Sequence, residues 1–147
     1  MSEATVLKRI LVGIDFSEAS RVTLARASLW AQRLGVPLTA IHVVAHPDPP
    51  LFSAHVPMGD PAWFETFEPN ARKLLDQWLE PYPGSQGLIR TGNPARCLAE
   101  QADADTLLLL GHKGHSALEA FHLGSTVERV IRRAAGDVLV IRADPRT

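Results

Sequence analysis

Short unbroken apolar runs alternate along this chain with longer stretches whose apolar residues recur at helical spacing. After its first residue, Arg9 to Ile14 is apolar or glycine throughout, the pattern of a strand covered on both faces. Leu38 to Ala45, Thr106 to Leu110 and Val138 to Ile141 share that character, and Gln86 to Thr91 reads as a shorter, weaker strand. Between the first two runs, Ser20 to Leu34 is rich in Ala, Leu and Arg, with Val22, Ala25, Leu29 and Ala31, together with Trp30, carrying a helical period. Ser17 offers that helix an N-cap hydroxyl, and Gly35 followed by Pro37 stops it. Asp60-Pro61 opens a second helix running to about Glu80, with Leu74, Leu75, Trp78 and Leu79 on its buried side. Pro69 is expected to kink or divide it, because proline removes a helical donor and crowds the preceding turn. Asn93-Pro94 caps a helix to about Ala102. Ser125-Thr-Val-Glu128 reads as a capping box, opening a last helix that ends at Gly136.

The order β-α-β-α-β-α-β-α-β predicts one α/β domain spanning residues 1–147, with a core over about 7–142. Its five strands are expected to form a parallel sheet with helices on both faces. Right-handed crossovers leave few windings, and the strand order is 3-2-1-4-5 if the first three strands step one way and the last two the other. A sheet wound this way reverses direction beside its first strand, and ligands bind beyond the strand carboxyl ends at that reversal. Gly13-Ile14-Asp15 and the segment from Gly111 onward would face each other there.

Charge and composition narrow the function classes. Lys and Arg total 15 against 16 Asp and Glu, giving a net charge of -1. A nucleic-acid surface normally needs a cationic excess, so no nucleic-acid partner is expected. The single cysteine, Cys97, excludes an intramolecular disulfide framework. No apolar run approaches the roughly 18–20 residues of a membrane helix, and the start MSEATVLKRI lacks a signal-peptide layout. The expectation is a soluble, cytoplasmic protein without a membrane partner. His46 to Pro61 is proline-rich and aperiodic, and reads as a long loop of the kind that is usually functional or mobile.

The chemistry concentrates in Gly111-x2-Gly114-x9-Gly124-Ser125. Glycines let main-chain N–H groups converge on a phosphate chain, and a helix N-terminus adds partial positive charge. Ser125 and Thr126 bring hydroxyls to the same turn. The alternative is that the glycines only turn the chain and Ser125 only caps the helix. Asp15 likewise carries two readings, a turn cap or a ligand contact opposite the glycine loop.

Taken together, Asp15-Phe-Ser-Glu18, the His42-Val43 pair, Gly92-Asn-Pro94, the glycine spacing and the closing Val138-Leu-Val-Ile141 resemble the universal stress protein family over about Leu7 to Arg142. The glycine spacing is similar to that of the family's ATP-binding branch. The resemblance implies a Rossmann-like five-stranded sheet, ATP as ligand with Mg2+ bridging its phosphates, and a homodimer paired through Val138 to Ile141. It implies that Asp15 meets the sugar or adenine side, beside Gly13 and Ile14, and that the Val43 main chain bonds adenine. Leu110 and Gly111 would lie along the sugar. Gly114, Gly124, Ser125, Thr126 and Val127 would hold the phosphates, with His112 crowding or contacting them. Two departures stand out: His112 occupies a position where a small hydroxyl residue is frequent, and Gly136-Asp137 replaces a frequent Cys-Pro.

Other polar residues fit plainer roles. His112 and His115 sit in a glycine-rich loop with no Cys or carboxylate to complete a metal cluster, so no metal site is expected in the protein itself. His46 and His55 fall in the long loop. Cys97 reads as a small buried hydrophobe, and Arg129, Arg132 and Arg133 as a solvated, dipole-complementing helix face. No Ser-His-Asp arrangement or acid pair is spaced for catalysis, and Gly13-Ile-Asp-Phe-Ser17 lacks the Ser-Gly-Gly-x-Asp-Ser loop of adenylating ligases. At most, bound metal and positioned water would give slow ATP hydrolysis. Two functions remain: a nucleotide-dependent regulatory module of the stress response reporting to a protein partner, or a dimeric adaptor with little or no nucleotide binding.

Overall fold

The computed structural model describes residues 6–45, 61–112 and 123–142, with backbone alone for 61–68. Five strands and four helices alternate: β1 (Arg9–Gly13), α1 (Glu18–Leu34), β2 (Leu38–Ala45), α2 (Pro61–Leu79), β3 (Gln86–Gly92), α3 (Pro94–Gln101), β4 (Thr106–Gly111), α4 (Ser125–Arg133) and β5 (Asp137–Ile141). The strands form one parallel sheet in the order β3-β2-β1-β4-β5. The predicted fold class is the observed one. The proline-rich stretch 46–60 lies outside the described residues.

Each face of the sheet has its own apolar layer. Ile10, Val12, Ala40 and Leu109 pack with Leu24 and Ala27 of α1 and with Leu75, Trp78 and Leu79 of α2. Leu11, Ile41, Leu108 and Leu110 pack on the other face with Leu98 of α3 and with Val127 and Val130 of α4. Alternation along central strands thus feeds two cores, which is why these strands read as continuous apolar runs. Leu108 is fully buried, so truncating it to alanine would cost about 2–5 kcal/mol.

Helix α1 corrects the expected periodicity. Its buried residues are Ser20, Thr23, Leu24, Ala27, Ser28 and Ala31, whereas Ala25 is exposed. Leu29 and Trp30 are also exposed, at 43% and 41%. Small side chains let this helix lie close to the sheet. A Cβ at Gly111 would stand 3.3 Å from both Ala19 Cβ and Thr23 Oγ1, so the helix is tightly packed on the strand at those two positions. Its ends follow expectation, with Ser17 accepting from the Ser20 N–H and Gly35 closing the helix in the left-handed region. The Ser17 cap is worth about 0.5–2 kcal/mol.

In α2, Leu75, Trp78 and Leu79 are buried as expected, while Leu74 is exposed. The helix is not divided at Pro69. Pro69 occupies an exposed position on the helix.

At the amino ends of β1 and β4 a polar clamp replaces apolar packing. Arg9 Nε donates to the buried Thr106 Oγ1 at 2.9 Å, its Nη2 donates to the Gln101 carbonyl, and the guanidinium pairs with Asp103 at 3.7 Å. Gly136 passes against the same connection, donating to the Ala102 carbonyl at 3.2 Å. This clamp lies at the opposite end of the sheet from the strand carboxyl ends.

Candidate functional site

At the carboxyl ends of β1 and β4 the chain diverges to opposite faces. The register pairs Val12 with Leu109, so Gly13 lies beside Leu110. From there β1 leads into α1 on one face, while β4 leads toward α4 on the other. The crevice between them is the predicted switch point.

Gly13 and Gly111 are both closely packed. A Cβ on Gly13 would fall 2.6 Å from Leu110 Cδ2 and 3.3 Å from Leu98 Cδ2. Ile14 is buried and tied to β2 at both main-chain groups: its N–H donates to the Ile41 carbonyl at 2.8 Å, and its carbonyl meets His42 Nδ1 at 2.7 Å. Phe16 then adopts φ 63, the left-handed region, which costs a non-glycine residue about 1–3 kcal/mol. Neighbours hold it there. Its ring packs tilted against the His42 ring at 4.5 Å and meets Trp78 edge-on at 5.3 Å, and Arg21 lies 4.1 Å over Trp78.

Asp15 caps this turn. Its Oδ1 accepts from the Ser17 N–H at 3.0 Å, and from the Ser17 and Ser20 hydroxyls at 2.5 Å each. The side chain itself is exposed at the crevice, so the capping role does not remove it from the site's edge.

On the β4 side, the His112 N–H donates to the Ile141 carbonyl at 2.8 Å, and the Gly124 N–H donates to the His112 carbonyl at 3.0 Å. The two ends of the glycine segment are thereby joined, and the start of α4 is fixed against His112, which lies two residues beyond Leu110. Gly114, Lys113 and His115 lie outside the described residues. Gly124 is the N-cap, with φ -59 and ψ 144, and no side chain caps the helix. The expected capping box does not form. The Gly124 carbonyl already accepts the Glu128 N–H at 3.1 Å, which makes Ser125 the first helical residue rather than the cap. Ser125 is exposed and Thr126 half-buried, so two hydroxyls stand at a helix start that carries partial positive charge. Val127 is buried against α3.

A sequence profile of the Universal stress protein family matches residues 7–142. The chain belongs to that family. A universal stress protein of Mycolicibacterium smegmatis is 34% identical over 138 residues, covering 90% of this chain and 45% of the relative. The chain therefore spans about half of that relative's length. A putative universal stress protein of Staphylococcus aureus is 29% identical over 146 residues, covering 93% of this chain and 85% of the relative. Among solved structures, universal stress protein UspA of Lactobacillus plantarum has a TM-score of 0.72 at 27% identity, covering 95% of this chain and all of that one. Two more distant structures share the fold: a universal stress protein in complex with cAMP, and one from Archaeoglobus fulgidus in complex with dAMP. Their TM-scores are 0.66 and 0.59, their identities 21% and 20%. They cover 95% and 93% of this chain, and each is itself covered to 99%.

Other sequence expectations meet mixed outcomes in this universal stress protein fold. Val43 is buried on β2, opposite Arg90 of β3. Cys97 is only half-buried, with Sγ 3.9 Å from the Thr91 carbonyl. Burial, followed by the nearby Glu100, raises its thiol above the ordinary range despite Arg90 and Arg96. Among the described residues, no His, Cys, Asp and Glu group could hold a metal, and no helix is long and apolar enough to cross a membrane. Sequence reasoning missed Phe16 and the bond from His42 to Ile14. The proximity of His42 to the β1 exit depends on strand register, which sequence does not display.

Proposed function

We propose that this chain binds ATP in the crevice between the β1 exit and the start of α4, and acts as a nucleotide-dependent regulatory module. The observation that carries the reading is the bond from Gly124 to His112, because it brings an uncapped helix start beside the β1 turn. Two fold relatives in complex with cAMP and dAMP support an adenine nucleotide as ligand class.

In this reading, Gly124, Ser125, Thr126 and Val127 supply main-chain N–H groups and hydroxyls to the phosphates, and the family resemblance adds Gly114 to that set. Leu110, Gly111 and His112 line the sugar and phosphate path. Gly13, Ile14 and Asp15 border the nucleoside, and Val43 offers its main chain to adenine. A carboxylate repels a phosphate chain, so the place of Asp15 is at the sugar or base. The residues fit Mg2+ only through the ligand: the donor set at α4 is neutral hydroxyls, and the ion would be held mainly by phosphate oxygens. When bound, it would neutralise phosphate charge.

The exposed edge of β5, with Val138, Leu139 and Val140 half-buried, supports a homodimer formed through that strand. An apolar edge left open would be an aggregation hazard.

Mass spectrometry of nucleotide released from freshly purified, heat-denatured protein tests the reading, followed by titration with ATP and magnesium. Bound adenine nucleotide is the expected outcome. ATP at about 100 times Kd should add roughly 2.7 kcal/mol of stability. The triple engagement of Asp15 Oδ1 favours the second reading, an adaptor that works without nucleotide. An empty protein that saturating ATP does not stabilise would establish that reading instead.

A further inference from the structure

In the β1–β2 ladder, the Ile10 N–H donates to the Pro37 carbonyl and the Ile14 N–H to the Ile41 carbonyl. Odd-numbered residues of β2 therefore turn their main-chain groups toward β1, and even-numbered residues of β1 answer them. Continued by one rung, the pattern would carry the Val43 N–H to the Ile14 carbonyl. That carbonyl is met instead by the His42 ring, at 2.7 Å from Nδ1. A carbonyl oxygen only accepts, so Nδ1 carries the proton in this contact. The same ring packs, tilted by 39°, against Phe16, the one non-glycine residue at positive φ among the described residues.

We propose that His42 is the positioning residue of the crevice. Its Nδ1–H takes the Ile14 carbonyl out of the strand ladder, bends β1 into the Asp15 turn, and leaves the main-chain edge of Val43 turned toward an adenine base. The inference rests on the nucleotide reading above for its ligand, while the anchoring itself is a property of the free protein. His42 touches no ligand in this scheme. It acts through Ile14 and Phe16, and the base meets Val43.

Three measurements test it. In wild-type protein, nitrogen-15 chemical shifts should show neutral His42 protonated at Nδ1, and the Val43 amide should exchange with solvent faster than that of Ile41. Addition of ATP and magnesium should slow Val43 exchange. His42→Phe keeps a stacking ring but removes the donor, and should weaken ATP binding about tenfold, the effect of one lost main-chain contact. His42→Asn, whose amide reaches roughly where Nδ1 lies, should restore affinity to within about threefold. A neutral Nε2–H tautomer, or a Val43 amide as protected as Ile41 in the free protein, would overturn the proposal. So would His42→Phe binding ATP as tightly as wild type. If wild type binds no ATP, the nucleotide reading fails, while the tautomer and the free-protein exchange rates still decide the anchoring. Should His42→Phe not fold, those same wild-type measurements and the Asn variant decide it.

Discussion

Asp15 and Ser20 are hydrogen-bonded to each other twice: the Ser20 hydroxyl donates to Asp15 Oδ1 at 2.5 Å, and the Asp15 N–H donates to Ser20 Oγ at 2.9 Å. Ser20 is buried, so this reciprocal pair fastens the exit of β1 to the first turn of α1 and serves fold and candidate site together.

Asp15→Ala should therefore destabilise the protein before any ligand is considered. It leaves the buried Ser17 and Ser20 hydroxyls without their carboxylate acceptor, at a cost of about 1–3 kcal/mol. Asp15→Asn keeps an acceptor at Oδ1 and should lose less. Urea unfolding measures the difference. An affinity for ATP that falls in Asp15→Asn with stability unchanged would separate ligand contact from capping.

Gly124→Val should abolish nucleotide binding while the domain stays folded. The new side chain would occupy phosphate space at the start of α4, whereas a poorer N-cap costs only about 1 kcal/mol. Calorimetric titration with ATP, beside a thermal melt, reads both effects. A folded variant that binds normally would remove the phosphates from this turn.

Gly136→Ala should be among the most damaging small substitutions. Its Cβ would stand 2.2 Å from the Asp103 carbonyl oxygen and 2.5 Å from that of Thr106, both backbone atoms with little freedom to move. The expected loss is about 1–3 kcal/mol or more, seen as a melting point lowered by at least several degrees. A melt within one degree or so of wild type would mean that the two connections separate at little cost.

Val140→Lys should give monomers by light scattering if β5 edges pair in solution. Val140 is half-buried against its own domain, so circular dichroism must first show that the fold survives. A folded variant that remains dimeric would move the interface elsewhere.

Cys97 should alkylate slowly at neutral pH, with a rate that climbs through the alkaline range, because burial keeps its thiol protonated. The sign of the stability effect follows. The folded thiol holds its proton above the pH at which the unfolded thiol releases it, so this contribution to stability is present below the unfolded value. It is lost as pH rises through the folded one. Fast modification at neutral pH would show that the thiol is more open than the structure has it.

The chain's local patterns determined most of the architecture: apolar runs long enough for strands, Ser17 and Asn93 as caps, Gly35 as a stop, and an alternation that permits few windings. These are near-neighbour effects, set by side-chain volume, backbone freedom and hydrogen bonds a few residues apart. Contacts between distant segments decided the remainder. Small residues face the sheet at Ala19 and Thr23 of α1 because the strand passes so close that a Cβ on Gly111 would stand 3.3 Å from each, and no periodicity within the helix announces that spacing. Gly124 displaced Ser125 as the cap because the His112 carbonyl, twelve residues earlier, holds its N–H. His42 reached Ile14 through the register of β1 on β2. Register and packing distance come from the simultaneous burial of both sheet faces, a condition met only when the whole chain closes.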